Sequence, residues 1–362
     1  MESKLNFDFK TNQRILKSIS FIDSFKGKWM GLEEKESVYL KELKQIATIE
    51  SIGSSTRIEG STMTDSEVKD LLSTIKISSF KTRDEQEVFG YYEVLNLILE
   101  SYEAVEIKES HIHHLHKSLL QASIKDENHR GDFKQLSNKV VANYTSGHQK
   151  IIFNTTEPLL VKDEMSKLIQ WTSKSLEKEE IHPLIIIATF VYEFLSIHPY
   201  QDGNGRLSRL LTTLLLLKSD YDFMQYASME IEIENRKKDY YDALMTGQRN
   251  RGTPDEKIDK WILFFLGMVE STVRKLENRY AQIKDKKSYL NERQRQLVQF
   301  ITDNEPVKIN DIVTSLTEFT SYTLKKDVKY LMDEAIVKKI GKASATIYLI
   351  NEKKKEKKDN NG

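Results

Sequence analysis

Residues 198–209 read His-Pro-Tyr-Gln-Asp-Gly-Asn-Gly-Arg-Leu-Ser-Arg, a stretch that holds a base, a carboxylate, two glycines around an asparagine, and two guanidinium groups. The run PLIIIATFVYEFLSI before it has the length and hydropathy of a buried helix. Pro199 disfavours the α region for the residue before it, so that helix is expected to end at about His198. A second apolar helix is expected from 206 to about 217. Gly203, Asn204 and Gly205 then sit at a helix start, where unpaired N–H groups and the positive dipole end attract an anion. Glycine permits the positive φ angles from which backbone anion nests are built. Arg206 and Arg209 lie three apart on one helical face. Two guanidinium forks above a ring of N–H groups suit a polyphosphate better than a carboxylate. Asp202 is placed to hold a hard cation such as Mg²⁺ against those phosphates. His198, one loop-width away, can take a proton near neutral pH.

HPYQDGNGRLSR resembles the signature of the Fic (Fido-domain) protein adenylyltransferases, HPFxDGNGRxxR, with Tyr200 standing where phenylalanine is usual. The resemblance implies that His198 is the general base for a target hydroxyl and that Asp202 is the Mg²⁺ ligand. It implies a cradle for the α- and β-phosphates of ATP made by Asn204 with the Gly203 and Gly205 backbone. Arg206 would meet the β-phosphate and Arg209 the γ-phosphate. Gly205 and Arg209 argue against the phosphate-transferring branch of the family, so AMP is the group expected to move. The acceptor is a Ser, Thr or Tyr hydroxyl of a protein, the chain itself included.

Upstream, Ser55-Thr-Arg-Ile-Glu59-Gly60 follows a helical run from residue 40, and Gly60 suits a helix C′ position. A carboxylate in the last turn is disfavoured unless a cation lies nearby. The segment resembles the family's inhibitory pattern [S/T]xxxE[G/N], which implies that Glu59 pairs with Arg209 and displaces the γ-phosphate. A carboxylate competing with phosphate for one guanidinium is a switch whatever its ancestry.

Two β-rich runs, Lys139-Val140-Val141 and Ile151-Ile152-Phe153, flank 144–148 and read as a hairpin. The resemblance makes it the flap that registers an extended target segment; a plain surface hairpin is the other reading. Beyond the motif, Asn235, Tyr240 and Tyr241 resemble the family's border of the ribose and base, although adjacent tyrosines are usually core. Four of the eight histidines fall in 109–121. A metal pair, His113 with His116 or His111 with His114, is weighed against helix-surface or core-capping roles, and the latter is preferred because no cysteine or HExxH arrangement supports it.

The elements that must position these groups follow from composition and order. The 362 residues carry 55 Lys+Arg against 55 Asp+Glu, so no global field points to nucleic acid or membrane. Cysteine is absent, which removes disulfides, thiolate metal sites and a Cys nucleophile. No charge-free apolar run approaches the ~18 residues of a membrane span, and MESKLNFDFK lacks a basic-then-apolar leader; the expected compartment is the cytoplasm. The expected fold is mainly α, a Fic/Fido helical core with a β-hairpin flap. Expected segments are an N-terminal helical region at 1–105 with its inhibitory helix at about 40–60, the catalytic core at 106–275, and a charged linker at 276–290. A winged helix-turn-helix is expected at 291–350, and a disordered basic tail at 351–362. Lys325, Lys326 and Lys329 fall on its recognition helix, which leaves DNA or protein contact open there. A homodimer is compatible with the sequence. Two other readings stand beside AMP transfer: removal of AMP by the same residues, and a nucleotide-sensing DNA-binding regulator.

Overall fold

The computed structural model describes residues 2–33, 37–74, 80, 82–143, 149–288, 290–334, 336–341 and 346–351. They form two compact units, Met1–Tyr280 and Ala281–Gly362. The hairpin tip at 144–148 and the tail from 352 lie outside the described residues.

The first unit opens with four helices, α1 (Phe9–Glu33), α2 (Ser37–Glu59), α3 (Asp65–Thr74) and α4 (Arg83–Ser101). Thr82 starts α4 through a reciprocal capping box with Glu85, which satisfies two of its orphan N-terminal donors. Next come α5 (Glu109–Leu119), an antiparallel hairpin of β1 (Lys139–Asn143) and β2 (Gln149–Asn154), and α6 (Pro158–Lys178). The central pair is α7 (Pro183–Ile197) and α8 (Asn204–Leu217). Proline at the first turn starts both α6 and α7, where the missing N–H has no intrahelical partner to lose. Every residue of α7 after Pro183 is buried, and every residue of α8 except Gly205. A helix apolar all round must lie inside, and α7 does so, with α6 and α8 packed on it.

The unit closes with α9 (Glu230–Asn235), α10 (Lys237–Gln248) and α11 (Asp259–Ser288), whose last residues fall past the unit boundary at Tyr280. Trp261 at the start of α11 is buried and donates its indole N–H to the Ala188 carbonyl of α7 at 2.7 Å. Glu193, buried in α7, is matched by Arg251 at 2.8 Å and by Lys4. Among the described residues no helix is long and apolar enough to cross a membrane.

The second unit contains α12 (Glu292–Asn304), α13 (Ile309–Ser315), α14 (Ser321–Asp333) and a ribbon of β3 (Val337–Ile340) with β4 (Ile347–Ile350). An isolated antiparallel bridge, Val307 to Tyr348, adds a third edge to the ribbon. Leu297, Ile301, Ile312, Leu324, Val328 and Leu331 form its separate apolar core.

Candidate active site

The corner between α7 and α8 carries His198 to Gly203. His198 closes α7 in the left-handed region at φ 53°, ψ 62°, with its N–H returned to Phe194 O at 2.8 Å. A non-glycine residue there costs about 1–2 kcal/mol, so neighbours must hold it. Lys134 is the main brace. Its backbone N–H donates to Pro199 O at 2.8 Å, and its buried ammonium reaches Ile197 O at 3.1 Å, Thr155 Oγ1 at 2.7 Å and Asn138 Oδ1 at 2.8 Å. Burial pushes the Lys134 ammonium down to about 8. Asn138 in turn donates to Tyr200 O at 2.8 Å, so the roots of β1 and β2 are tied to the corner.

Asn204 closes the loop on itself. Its Oδ1 accepts from the Tyr200 N–H at 2.9 Å and its Nδ2 donates to Tyr200 O at 2.7 Å. The side-chain amide expected to cradle phosphate is therefore committed to the loop, which leaves the backbone N–H groups at the start of α8 for an anion. The Tyr200 ring is fully buried and stacked on His116, centroids 3.7 Å apart. Its hydroxyl, the one departure from the usual aromatic, finds His113 Nδ1 at 3.1 Å. His116 Nδ1 accepts from the Gly131 N–H at 2.9 Å, so Nε2 carries the proton it shares with Asp202 O at 3.0 Å. His113 and His116 thus brace the loop.

At His198 the same logic fixes the tautomer. Nδ1 lies 3.3 Å from the Leu195 carbonyl, which can only accept, so Nδ1 is protonated and Nε2 keeps its lone pair. Burial, with the Lys134 charge behind it, pushes the imidazole down to about 4, and it is neutral near pH 7.

These groups border a cleft of about 290 Å³, lined from the motif by His198, Asp202, Gly203, Asn204, Gly205 and Arg209. Lys139 and Val140 of β1 form one wall, Tyr240 and Tyr241 of α10 another, and Glu59 enters from α2. Asn235 does not line it: as the last residue of α9 it is exposed, because Glu232 and Ile233 take the inward positions of that short helix. Ile152 and Phe153 are half-buried in β2 outside the cleft lining, and the side chains of Val141 and Ile151 lie outside the described residues.

Charge in the cleft is arranged around anions. Asp202 Oδ1 accepts from the Gly203 N–H at 2.6 Å and from Arg206 at 3.3 Å. Its Oδ2 faces Arg83 at 3.6 Å and Lys125 at 3.8 Å. Burial works against the Asp202 carboxylate, but Arg206, the Gly203 N–H, Arg83 and Lys125 together hold its pKa below the usual value. Arg206, 1% exposed, is ion-paired through Nη1 with Glu87 at 3.5 Å, and its Nε has no hydrogen-bond acceptor among the described residues. A buried guanidinium N–H left open is costly and marks a place for an anion.

Glu59 fills part of that place. Its Oε1 accepts from Arg209 Nη2 at 2.8 Å, while Arg209 also donates to Ser55 Oγ at 2.8 Å and Ser55 O at 3.0 Å. A Cβ on Gly205 would sit 2.2 Å from Glu59 Oε1, so the carboxylate packs directly on the glycine backbone at the start of α8. Burial works against the Glu59 charge, but Arg209 and then Arg206 hold its pKa below the usual value. Gly60, at φ +114°, ends α2 by donating to Arg57 O at 3.1 Å, and Ser61 N–H reaches Thr56 O at 3.1 Å. The helix end is pinned to the α9–α10 corner by Arg57 with Glu234, at 2.7 and 3.0 Å, and by Lys237 Nζ on Ile58 O at 2.7 Å. Sequence spacing points to none of Lys134, Asn138, Glu234 or Lys237; each acts across a large chain separation.

With this geometry in view, the comparisons with known proteins are direct. Residues 106–216 match the Fic/DOC family, and the chain carries a Fic/DOC domain there. Protein adenylyltransferase Fic of Drosophila persimilis is 30% identical over 202 residues, 55% of this chain and 37% of that protein. The Drosophila virilis protein of the same name is 31% identical over 184 residues, 50% of this chain and 35% of the relative. The matches thus span little more than a third of these relatives' length. Among solved structures, a Fic family protein from Desulfovibrio desulfuricans G20 superposes with TM-score 0.63 at 20% identity, over 93% of this chain and 95% of that one. A Fic domain containing signalling protein from Bacteroides thetaiotaomicron VPI-5482 gives 0.58 at 24%, over 73% and 97%. At these identities the likeness is one of fold.

Proposed function

We propose that this chain is a protein adenylyltransferase that moves AMP from ATP to a Ser, Thr or Tyr hydroxyl and is held off by its own Glu59. The observation that carries the reading is the Glu59 carboxylate lodged on Arg209 and against Gly205, in the cleft lined by His198. An anion already occupies the place where a triphosphate tail would end.

In the reaction, His198 Nε2 takes the hydroxyl proton as the oxygen bonds to the α-phosphorus. The bond from that phosphorus to the β-phosphate bridging oxygen breaks, and its electron pair leaves with pyrophosphate. The open Nε of Arg206 and the backbone N–H groups of Asn204 and Gly205 meet the growing charge on the phosphates. Arg209 holds the γ-phosphate only when Glu59 has withdrawn. Asp202 offers one ionised oxygen to Mg²⁺, and the described residues contain no cluster of three or more His, Cys, Asp or Glu that could cage a metal. Mg²⁺ therefore fits as a partner of the triphosphate, where it would neutralise phosphate charge. Tyr240 and Tyr241 border the base, and Lys139 and Val140 of the flap face the target segment. The exposure of Asn235 removes it from this assignment.

The test is transfer of label from [α-³²P]ATP. The wild-type chain should label itself and other proteins weakly, Glu59→Gly strongly, and the Glu59→Gly/His198→Ala double variant not at all. A Glu59→Gly protein that labels no more than wild type would sink the inhibitory assignment. Removal of AMP from a labelled protein by wild type, lost in Glu59→Gly, would instead favour the reverse reaction.

A further inference from the structure

The second unit carries a surface that AMP transfer does not use. In α14, Leu324, Asp327, Val328 and Leu331 face the core, which turns Tyr322, Lys325, Lys326 and Lys329 outward. These four stand at i, i+3, i+4 and i+7, one stripe along the helix. Tyr322 is 79% exposed, and the three lysines are exposed as well.

The charge on this stripe is sorted. Asp327, the one acidic residue between 321 and 332, points inward, where Arg293 Nε and Gln294 Nε2 donate to its carboxylate. Three ammonium groups therefore stand on little more than one turn with no carboxylate among them, until Asp333 closes the helix. Across residues 290–351 basic groups exceed acidic ones by 9 to 8, so the field is local to the face rather than spread over the unit. The strand β3, packed on α14, adds exposed Lys339.

We propose that α14 is the recognition helix of a winged helix-turn-helix and that Tyr322, Lys325, Lys326 and Lys329 seat it on duplex DNA. Three helices with a two-stranded ribbon present one helix outward, and a helix of this kind fits the major groove. Lysine is a compact point charge without the fork that reads carboxylates in pairs, so it suits regularly spaced phosphates. The stripe holds no Arg, Asn or Gln to read base edges. Contact is with the backbone and tolerant of sequence, with Tyr322 adding apolar contact.

The experiment uses the full chain and a fluorescein-labelled 20-base-pair duplex, followed by anisotropy from about 50 to 300 mM NaCl. Wild type should bind with an affinity that falls steeply with salt and changes little between unrelated sequences. K325A/K326A/K329A should weaken binding by about tenfold or more at low salt and reduce the log–log salt slope by about 2 to 3. Y322A should weaken binding and leave the slope unchanged. All four side chains are exposed, so both variants should keep the wild-type unfolding midpoint. Failure of wild type to bind at 50 mM NaCl overturns the proposal. So does equal binding by the triple-lysine variant, which would assign the contact to other basic residues. Stronger binding to polyglutamate than to duplex of equal charge also overturns it, by pointing to an acidic protein partner.

Discussion

Two structures meet at Arg209, and they are held in different ways. The α7–α8 corner is built from buried contacts, one of them local and the others reaching across the chain. Asn204 bonds both backbone groups of Tyr200 four residues away, the Tyr200 ring lies flat on His116, and the Lys134 ammonium is buried beneath. The end of α2 reaches its place through residues far along the chain: Glu234 for Arg57, Lys237 for Ile58, Arg209 for Glu59. Arg57 and Glu234 are 23% and 29% exposed, so water and salt screen that pair. On the proposed reading, the corner that would bind the polyanion is preformed, and the α2 end that would block it is held in part by the partly exposed Arg57–Glu234 pair. The last turns of α2 are themselves buried at Ser54, Ser55, Thr56 and Ile58, so the screened Arg57–Glu234 pair is the contact most easily loosened.

Breaking the chemistry of the rigid half should give the largest effect. In a Glu59→Gly background, His198→Ala should cut AMP transfer by about 10²- to 10⁴-fold with little change in unfolding. Retention of most of the rate would mean that another group takes the proton. Release of the movable half comes next: Glu59→Gly should raise transfer by about 5- to 150-fold, the range of a typical coupling energy. Damage to the frame of the corner should appear mainly as stability. Asn204→Ala leaves the buried Tyr200 N–H without its acceptor and should cost about 1–3 kcal/mol in urea unfolding. A neutral result there would show that the corner does not depend on its internal bond.

The smallest effect sharpens the contrast. Glu234→Gln loosens a screened pair worth about 0.2–1 kcal/mol, so transfer by the otherwise intact chain should rise about 1.5- to 5-fold. Moderate salt should mimic it, whereas the Glu59→Gly protein should not gain in the same way. An increase as large as that of Glu59→Gly would make Glu234 the dominant restraint.

The acid limb of stability also belongs to the corner. His198 and His116 are both pushed down to about 4 from an ordinary 6.5, chiefly by burial. As pH falls through 6.5 the unfolded chain takes up protons that the folded protein refuses, so the contribution of these histidines should decline from about pH 6.5 to 4, and the lowered Glu59 and Asp202 carboxylates carry the loss further below. His116→Gln should flatten part of that decline in denaturant titrations at pH 7 and 5. Because His198 remains a neutral base across the range, transfer by Glu59→Gly should lose nothing to its protonation between pH 8 and 6.

Some of this was readable in the chain. The apolar run before Pro199, the glycines and Gly60 are local signals, since helix ends and left-handed turns depend on neighbours a few residues away. Ion type and spacing within 198–209 likewise announce an anion site. The burial of Asp327, which leaves the outer face of α14 uniformly basic, is not a local signal, because it depends on Arg293 in another helix.

Local spacing therefore determined the chemistry of the motif, the helical class and the positions of the turns, all of which depend on backbone sterics over a few residues. Tertiary structure decided which charges compete. It seated Glu59 on Arg209 across 150 residues, set Lys134 beneath the loop, committed the Asn204 amide to Tyr200, and turned Asn235 out to solvent. Such pairings depend on burial and distance between remote segments, quantities that exist only once the helices have packed.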